Sequence, residues 1–101
     1  MLPFSHLEKS NTKENLWLYI LSLARRKPIY AYQLHKDIEE IFDFKPGKIT
    51  PYRILYKLEH EGFVKSKVED RRRFYEITVK GKDELKKAKG FYIKMVKLLG
   101  E

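Results

Sequence analysis

The stretch Pro46-Gly-Lys-Ile-Thr-Pro-Tyr-Arg-Ile-Leu-Tyr-Lys-Leu-Glu-His-Glu-Gly62 reads as one short helix with both ends written into it. Thr50 offers a hydroxyl for the cap, and Pro51 suits the first helical position, where no amide hydrogen is needed. Gly62 is placed to close the other end in a left-handed conformation. Between them Ile54, Leu55 and Leu58 form an apolar stripe at helical spacing, with Tyr52, Arg53, Tyr56 and Lys57 opposite. A helix of this kind anchors in a core and turns cations and phenols outward. That face suits a DNA groove.

The surrounding 101 residues suffice for one domain with a single modest core. With 43% hydrophobic and 36% charged residues, the chain is globular rather than disordered. No apolar run approaches the roughly 20 residues needed to span a bilayer. The first residues lack the basic and apolar regions of a secretory signal. Without cysteine, neither a disulfide framework nor a thiolate metal site can form. These features point to the cytoplasm. The formal net charge of +8 is unevenly spread: residues 1–44 are neutral, residues 45–73 carry nine basic against four acidic groups, and residues 74–101 seven against four. A basic region of this kind suits a polyanion. The plain alternative is a Lys-rich surface of the sort found in proteins from hot environments.

Residues 1–10 read as an arm with little internal structure, whose Leu2, Phe4 and Leu7 could pack on a second subunit. Asn11 followed by Glu14 resembles a capping box, opening a helix over about residues 12–26. Leu16, Trp17, Ile20, Leu21, Leu23 and Ala24 cover more than half its circumference, which predicts a partner beyond its own domain. Pro28 ends that helix. A second, about residues 31–42, turns Tyr30, Leu34, Ile38, Ile41 and Phe42 inward. Joined by residues 43–48 to the helix quoted first, it has the layout of a helix-turn-helix.

After Gly62 the pattern becomes strand-like. Residues 63–68 and 73–78 read as two strands around the polar tip Glu69-Asp-Arg-Arg72. Thr78 then caps a helix running to about Leu99, in which Leu85, Ala88, Tyr92, Met95 and Leu99 recur at coiled-coil spacing. The core looks complete without this helix, so homodimerisation is expected through it and through Leu16 and Trp17 of the first helix. The fold class is mainly α with a small β-hairpin wing. It is a winged helix-turn-helix over residues 1–78, with residues 1–10 as the arm, followed by a C-terminal dimerisation helix over residues 79–101.

Four segments in this order resemble the PadR-like winged-helix transcription regulators: Leu21-Ser-Leu-Ala24, Tyr30-Ala-Tyr-Gln-Leu34, Thr50-Pro-Tyr-Arg-Ile-Leu-Tyr-Lys-Leu58 up to Gly62, and Arg71-Arg-Arg-Phe-Tyr-Glu-Ile-Thr78 up to Gly81. Tyr52 matches the position of the family's characteristic tyrosine, while Ala31 and Ile49 stand where the family often has glycine. The resemblance covers about residues 15–100. It implies a homodimeric DNA-binding regulator, usually a repressor, sometimes responsive to small aromatic or drug-like ligands.

The candidate DNA-binding set is Lys48, Thr50, Tyr52, Arg53, Tyr56, Lys57, Lys65, Lys67, Arg71, Arg72 and Arg73. Arginine suits bidentate guanine contacts, the helix start favours phosphate, and wing arginines can enter a minor groove or track the backbone. The alternatives are a solvated face with a Lys57–Glu61 pair and arginines paired with Glu69 and Asp70 within the turn. Trp17, Tyr19, Phe91 and Tyr92 could line a pocket for a flat aromatic ligand at the dimer interface, or simply be core. His6, His35 and His60 are scattered, so no metal or other cofactor is expected. No catalytic constellation is present, so the chain reads as no enzyme. A protein-interaction module is the competing class.

Overall fold

The computed structural model describes residues 2–100; residues 1 and 101, the outer ends of the expected arm and tail, lie outside them. Helix α1 spans Pro3–Asn11 and α2 spans Leu16–Arg26, separated by a 3-10 turn at Lys13–Asn15. Strand β1 (Ile29–Tyr30) and a second 3-10 turn (Ala31–Gln33) lead into α3 (Leu34–Phe42). Helix α4 covers Thr50–His60, strands β2 and β3 cover Val64–Glu69 and Arg72–Ile77, and α5 covers Val79–Leu99. The antiparallel sheet has the order β1-β3-β2. This is a mainly helical winged helix, as expected.

α2 is the axis of the core. Its Ile20 and Leu21 are fully buried, joined by Leu34 and Ile38 of α3, Leu55 and Leu58 of α4, Val64, Tyr75 and Ile29 of the sheet. Burying such side chains is worth roughly 1.5–3 kcal/mol each. Lys27 ends α2 in an extended conformation, as the following proline requires.

Several expectations change. The arm is a helix: Pro3 sits in its first turn, no glycine or internal proline interrupts it, and the Asn11 amide donates to the Leu7 carbonyl (2.9 Å). Asn11 therefore closes one helix instead of capping the next. The second predicted helix starts three residues late, because Ile29 and Tyr30 pair with Tyr75 and Phe74 of β3. Ile41 of α3 is exposed, not buried. Thr50 is the first residue of α4 and Ile49 takes the cap position, with no side-chain cap bond. At the other end Gly62 has φ +86°. There Gly62 N donates to the Glu59 carbonyl (3.0 Å) and Phe63 N to the Leu58 carbonyl (2.9 Å), the paired bonds of a Schellman closure.

The joint between α4 and α5 is tight. Thr78 caps α5 by accepting from Gly81 N (3.1 Å) and donates its hydroxyl to the Gly62 carbonyl (2.7 Å). Lys80 Nζ donates to the Glu61 carbonyl (2.6 Å) and lies 4.5 Å from the Phe63 ring centroid. A Cβ on Gly81 would stand 2.2 Å from the Phe63 carbonyl oxygen, so only glycine fits. Gly81 and Leu85 are buried, so the first turns of α5 pack with the winged-helix unit. The core is not complete without them.

Candidate nucleic-acid interface

Pro51, Leu55 and Leu58 sink one side of α4 into the core, leaving Arg53, Tyr56, Lys57 and His60 exposed. At helical spacing Ile49, Arg53, Tyr56 and His60 share one outward row, with Lys57 beside it. His60 and Ile49 were absent from the candidate set, although their spacing from Arg53 marks them. Lys48 and Thr50 are exposed just ahead of this row.

The wing is a two-residue hairpin in which Glu69 pairs with Arg72 and Lys67 with Phe74. Asp70 and Arg71 form the turn with φ of 49° and 65°, the type I′ geometry that matches strand twist. A non-glycine residue here carries some strain, and it places the Arg71 side chain at the wing tip. The Arg72 guanidinium lies 5.4 Å from the Tyr30 ring centroid. Arg73 Nη1 donates to Ser66 Oγ (2.9 Å), and that hydroxyl donates to Glu59 Oε2 of α4 (2.5 Å), tying wing to helix.

Between α4 and the wing lies a concavity of about 530 Å³. Tyr52 and Tyr56 line one side, Arg71, Arg72 and Arg73 the other, and Tyr30, Tyr32 and Tyr75 complete it. Five candidates thus converge. The three added tyrosines come from β1, its following turn and β3, a strand pairing that periodicity alone does not reveal. Among the described residues the ion pairs are Lys67–Glu69, Lys67–Glu76 and Lys87–Glu84. Arg53, Lys57, Arg71, Arg72 and Arg73 are therefore free of carboxylate partners there, and the turn pairing considered above is not formed.

Lys65 and Lys67 belong elsewhere. They alternate with Ser66, which faces α4, and so stand on the sheet's other side with Glu76, Phe74 and, nearer the tip, Arg72. Lys67 is held by Glu76 at 2.9 Å. That hydrogen bond raises the lysine's pKa and lowers the glutamate's. Lys67 is thus engaged within the sheet, outside the concavity that gathers the wing arginines. Lys57 borders a separate cavity of about 320 Å³ with Trp17, Leu21, Phe63 and Glu84.

The dimerisation set also divides. Leu16 and Leu85 are 3% and 4% exposed and belong to the subunit's own core, leaving no surface for a partner. Trp17 packs against that core, as the plainer of its two readings has it, and apart from Tyr19, Phe91 and Tyr92. Tyr92, Met95 and Leu99 instead line an apolar groove of about 650 Å³ with Leu7 of α1, Leu18 and Tyr19 of α2, and Phe91 and Val96 of α5. Tyr92 donates to Asn11 Oδ1 (2.9 Å), and the Tyr19 hydroxyl to the Asn11 carbonyl. Burial and the neighbouring Tyr92 phenol push the Tyr19 pKa up. Ala88 is half-buried and does not line this groove.

Among the described residues no group of three metal-ligating side chains is placed to hold an ion, and no helix is long and apolar enough to cross a membrane. Comparison with known proteins gives a consistent picture. The sequence model of the "Transcriptional regulator PadR-like family" matches residues 20–87. Among solved structures, a transcriptional regulator from Clostridium thermocellum is 28% identical with a TM-score of 0.73, over 83% of this chain and 85% of its own. A PadR family transcription regulator from Clostridium difficile R20291 is 29% identical with a TM-score of 0.68, over 84% and 98%. A PadR-like transcriptional regulator from Bacillus cereus shares the fold at 23% identity and a TM-score of 0.70, over 93% and 98%. No curated protein sequence matches.

Proposed function

Because the chain belongs to the PadR-like family of transcriptional regulators, which are not enzymes, we propose that it binds a short palindromic duplex operator as a homodimer and represses by occupying it. The observation that carries this reading is the convergence of three unpaired wing arginines with the phenols of α4 around one concavity. Arg53 reads base edges in the major groove, Lys57 and His60 flank it, and Lys48, Thr50 and Tyr52 hold phosphates at the helix start. Arg71 at the tip reaches the adjacent minor groove, while Arg72 and Arg73, steadied by Tyr30 and Ser66, follow the backbone. Lys65 contributes long-range charge only.

Dimerisation through residues 79–101 and α1 supplies the second half-site. α1 has no buried residue, and Phe91, Val96, Leu98 and Leu99 of α5 are exposed. In a second copy these surfaces find cover, and the two α4 helices enter successive major grooves about 34 Å apart. Residues 1–78 then form the DNA-binding unit, with the first turns of α5 serving both roles. The setting is the cytoplasm.

The test is a mobility shift of random and selected duplexes over a salt series. Expected is tight binding to selected palindromes at one half-site spacing, with affinity falling steeply as salt rises. Absence of any duplex binding at micromolar protein overturns the reading in favour of a protein-interaction module. The aromatic lining of the groove by Tyr19, Phe91 and Tyr92 favours a second role, as a site for a flat aromatic ligand that tunes the dimer. A ligand screen that shifts neither sedimentation nor operator affinity removes that role.

A further inference from the structure

Ile49 stands at the cap position of α4 with 66% of its surface exposed. It does nothing for the core cluster, and it does not line the apolar groove. Nor does it serve the helix it precedes. Its backbone is already helical (φ -92°, ψ -40°), and no side-chain cap bond is made there. Its carbonyl accepts from Tyr52 N (3.1 Å) and Arg53 N (3.4 Å), so the side chain is fixed one turn ahead of Arg53 on the outward row. Lys48 precedes it, and Arg53 follows it on that row. A branched hydrocarbon surrounded by cations at the leading end of this helix has one apolar feature to meet in a major groove, the 5-methyl group of thymine.

We infer that Ile49 is a specificity-determining residue that packs on a thymine methyl in each half-site. The inference rests on the duplex-binding reading above and adds a base identity to it. The flanking cations hold phosphates and fix the depth of the helix, and Ile49 removes one methyl from water. A polar residue at the same place would forgo that packing.

The experiment uses the full chain and the half-site it selects from a random duplex library. Each thymine is replaced in turn by deoxyuridine, which removes only the methyl. Expected is one position per half-site at which the wild-type chain loses about four-fold in affinity, and about fifteen-fold when both half-sites are changed, the scale of one buried methyl each. Ile49→Ser should bind the thymine and uracil duplexes equally, with the fold retained because the side chain is exposed. Ile49→Val should retain part of the discrimination. Selected half-sites without thymine, a wild type indifferent to every replacement, or an unchanged thymine-to-uracil ratio in Ile49→Ser each overturn the inference while leaving the duplex-binding reading standing. A chain that binds no duplex at all overturns both.

Discussion

Helices α4 and α5 meet at one tight joint, and each gives one flank to the same core. They differ in what is left outside. The exposed side chains of α4 include Arg53, Tyr56, Lys57 and His60; on the distal half of α5 Phe91, Ile93, Val96, Leu98 and Leu99 are exposed as an apolar surface beside Lys89, Lys94 and Lys97. Charge is indifferent to leaving bulk water only when another charge meets it, whereas hydrocarbon gains from any dry contact. On the proposed reading, leftover chemistry sorts the two partners, a polyanion for one helix and a second copy for the other. The contrast also explains why α5 has two halves. Gly81 and Leu85 belong to the subunit, and the groove-lining residues beyond them await cover.

The joint itself gives the largest expected effect. Gly81→Ala places a methyl against the Phe63 carbonyl, which is backbone and cannot swing aside. A loss of about 3 kcal/mol or more in urea unfolding is expected, because overpacking of this kind lies in the severe tail. A loss under about 1 kcal/mol would mean that the two helices are less rigidly joined than described. Leu85→Ala should follow with about 2–4 kcal/mol from the cavity it leaves. That loss should persist at protein concentrations too low for dimers. If it appeared only where dimers form, Leu85 would be an interface residue after all.

Val96→Asp sharpens the other half of α5. Its side chain is 69% exposed in the single chain, so the folded subunit should tolerate the change within about 0.5 kcal/mol. A carboxylate in the covered groove should nevertheless leave a monomer in sedimentation and cut operator affinity by about 10²–10⁴-fold as bivalent binding disappears. A dimer that survives this substitution would place the subunit interface elsewhere.

How far the sequence carried this picture depends on the kind of signal. α4, Gly62, the hairpin and the Thr78 cap were legible because each is local: a periodicity, a left-handed position, a hydroxyl three residues before an amide. The third strand was not. Ile29 and Tyr30 read only as the approach to a helix until β3 supplies a pairing partner about 45 residues later in sequence. Thr50 and Ile49 were exchanged by one position, the usual uncertainty of helix ends. Leu16 and Leu85, buried in the subunit's own core, were misplaced for one shared reason. An apolar residue at helical spacing is equally suited to its own core or to a partner, and only three-dimensional packing decides which. Lys67 shows the same limit for charge, since Glu76 becomes its neighbour through strand register alone.

At the wing the comparison can be tested on one residue with two readouts. Arg71 occupies φ +65°, so Arg71→Gly should stabilise the hairpin by up to about 1 kcal/mol. The same change should lower duplex affinity and reduce the salt slope by about 0.9 for each phosphate that the arginine had neutralised. Unchanged salt dependence would detach the wing tip from the nucleic-acid surface.

The smallest effect is expected on the far face of the sheet. Glu76 has its pKa lowered by the hydrogen bond from Lys67, against a usual value of 4.5. A carboxylate depressed in the folded state adds stability that is fully present above its unfolded pKa and is lost as pH falls through the folded value. The Lys67–Glu76 contribution should therefore hold at neutral pH and fade below about pH 4.5, and Glu76→Gln should flatten that acid limb slightly. Lys67 is raised, so its share holds below its usual 10.5 and is lost only at higher pH. Because both groups lie open to solvent, salt should erase the effect on stability. Duplex affinity at neutral pH should also change far less in Lys67→Ala than on replacing any of the three wing arginines. A lysine variant that matched Arg71→Gly in weakened affinity would show that nucleic acid extends along the strands past Arg72 to the Lys67–Glu76 pair, and the separation of that pair from the wing tip would fail.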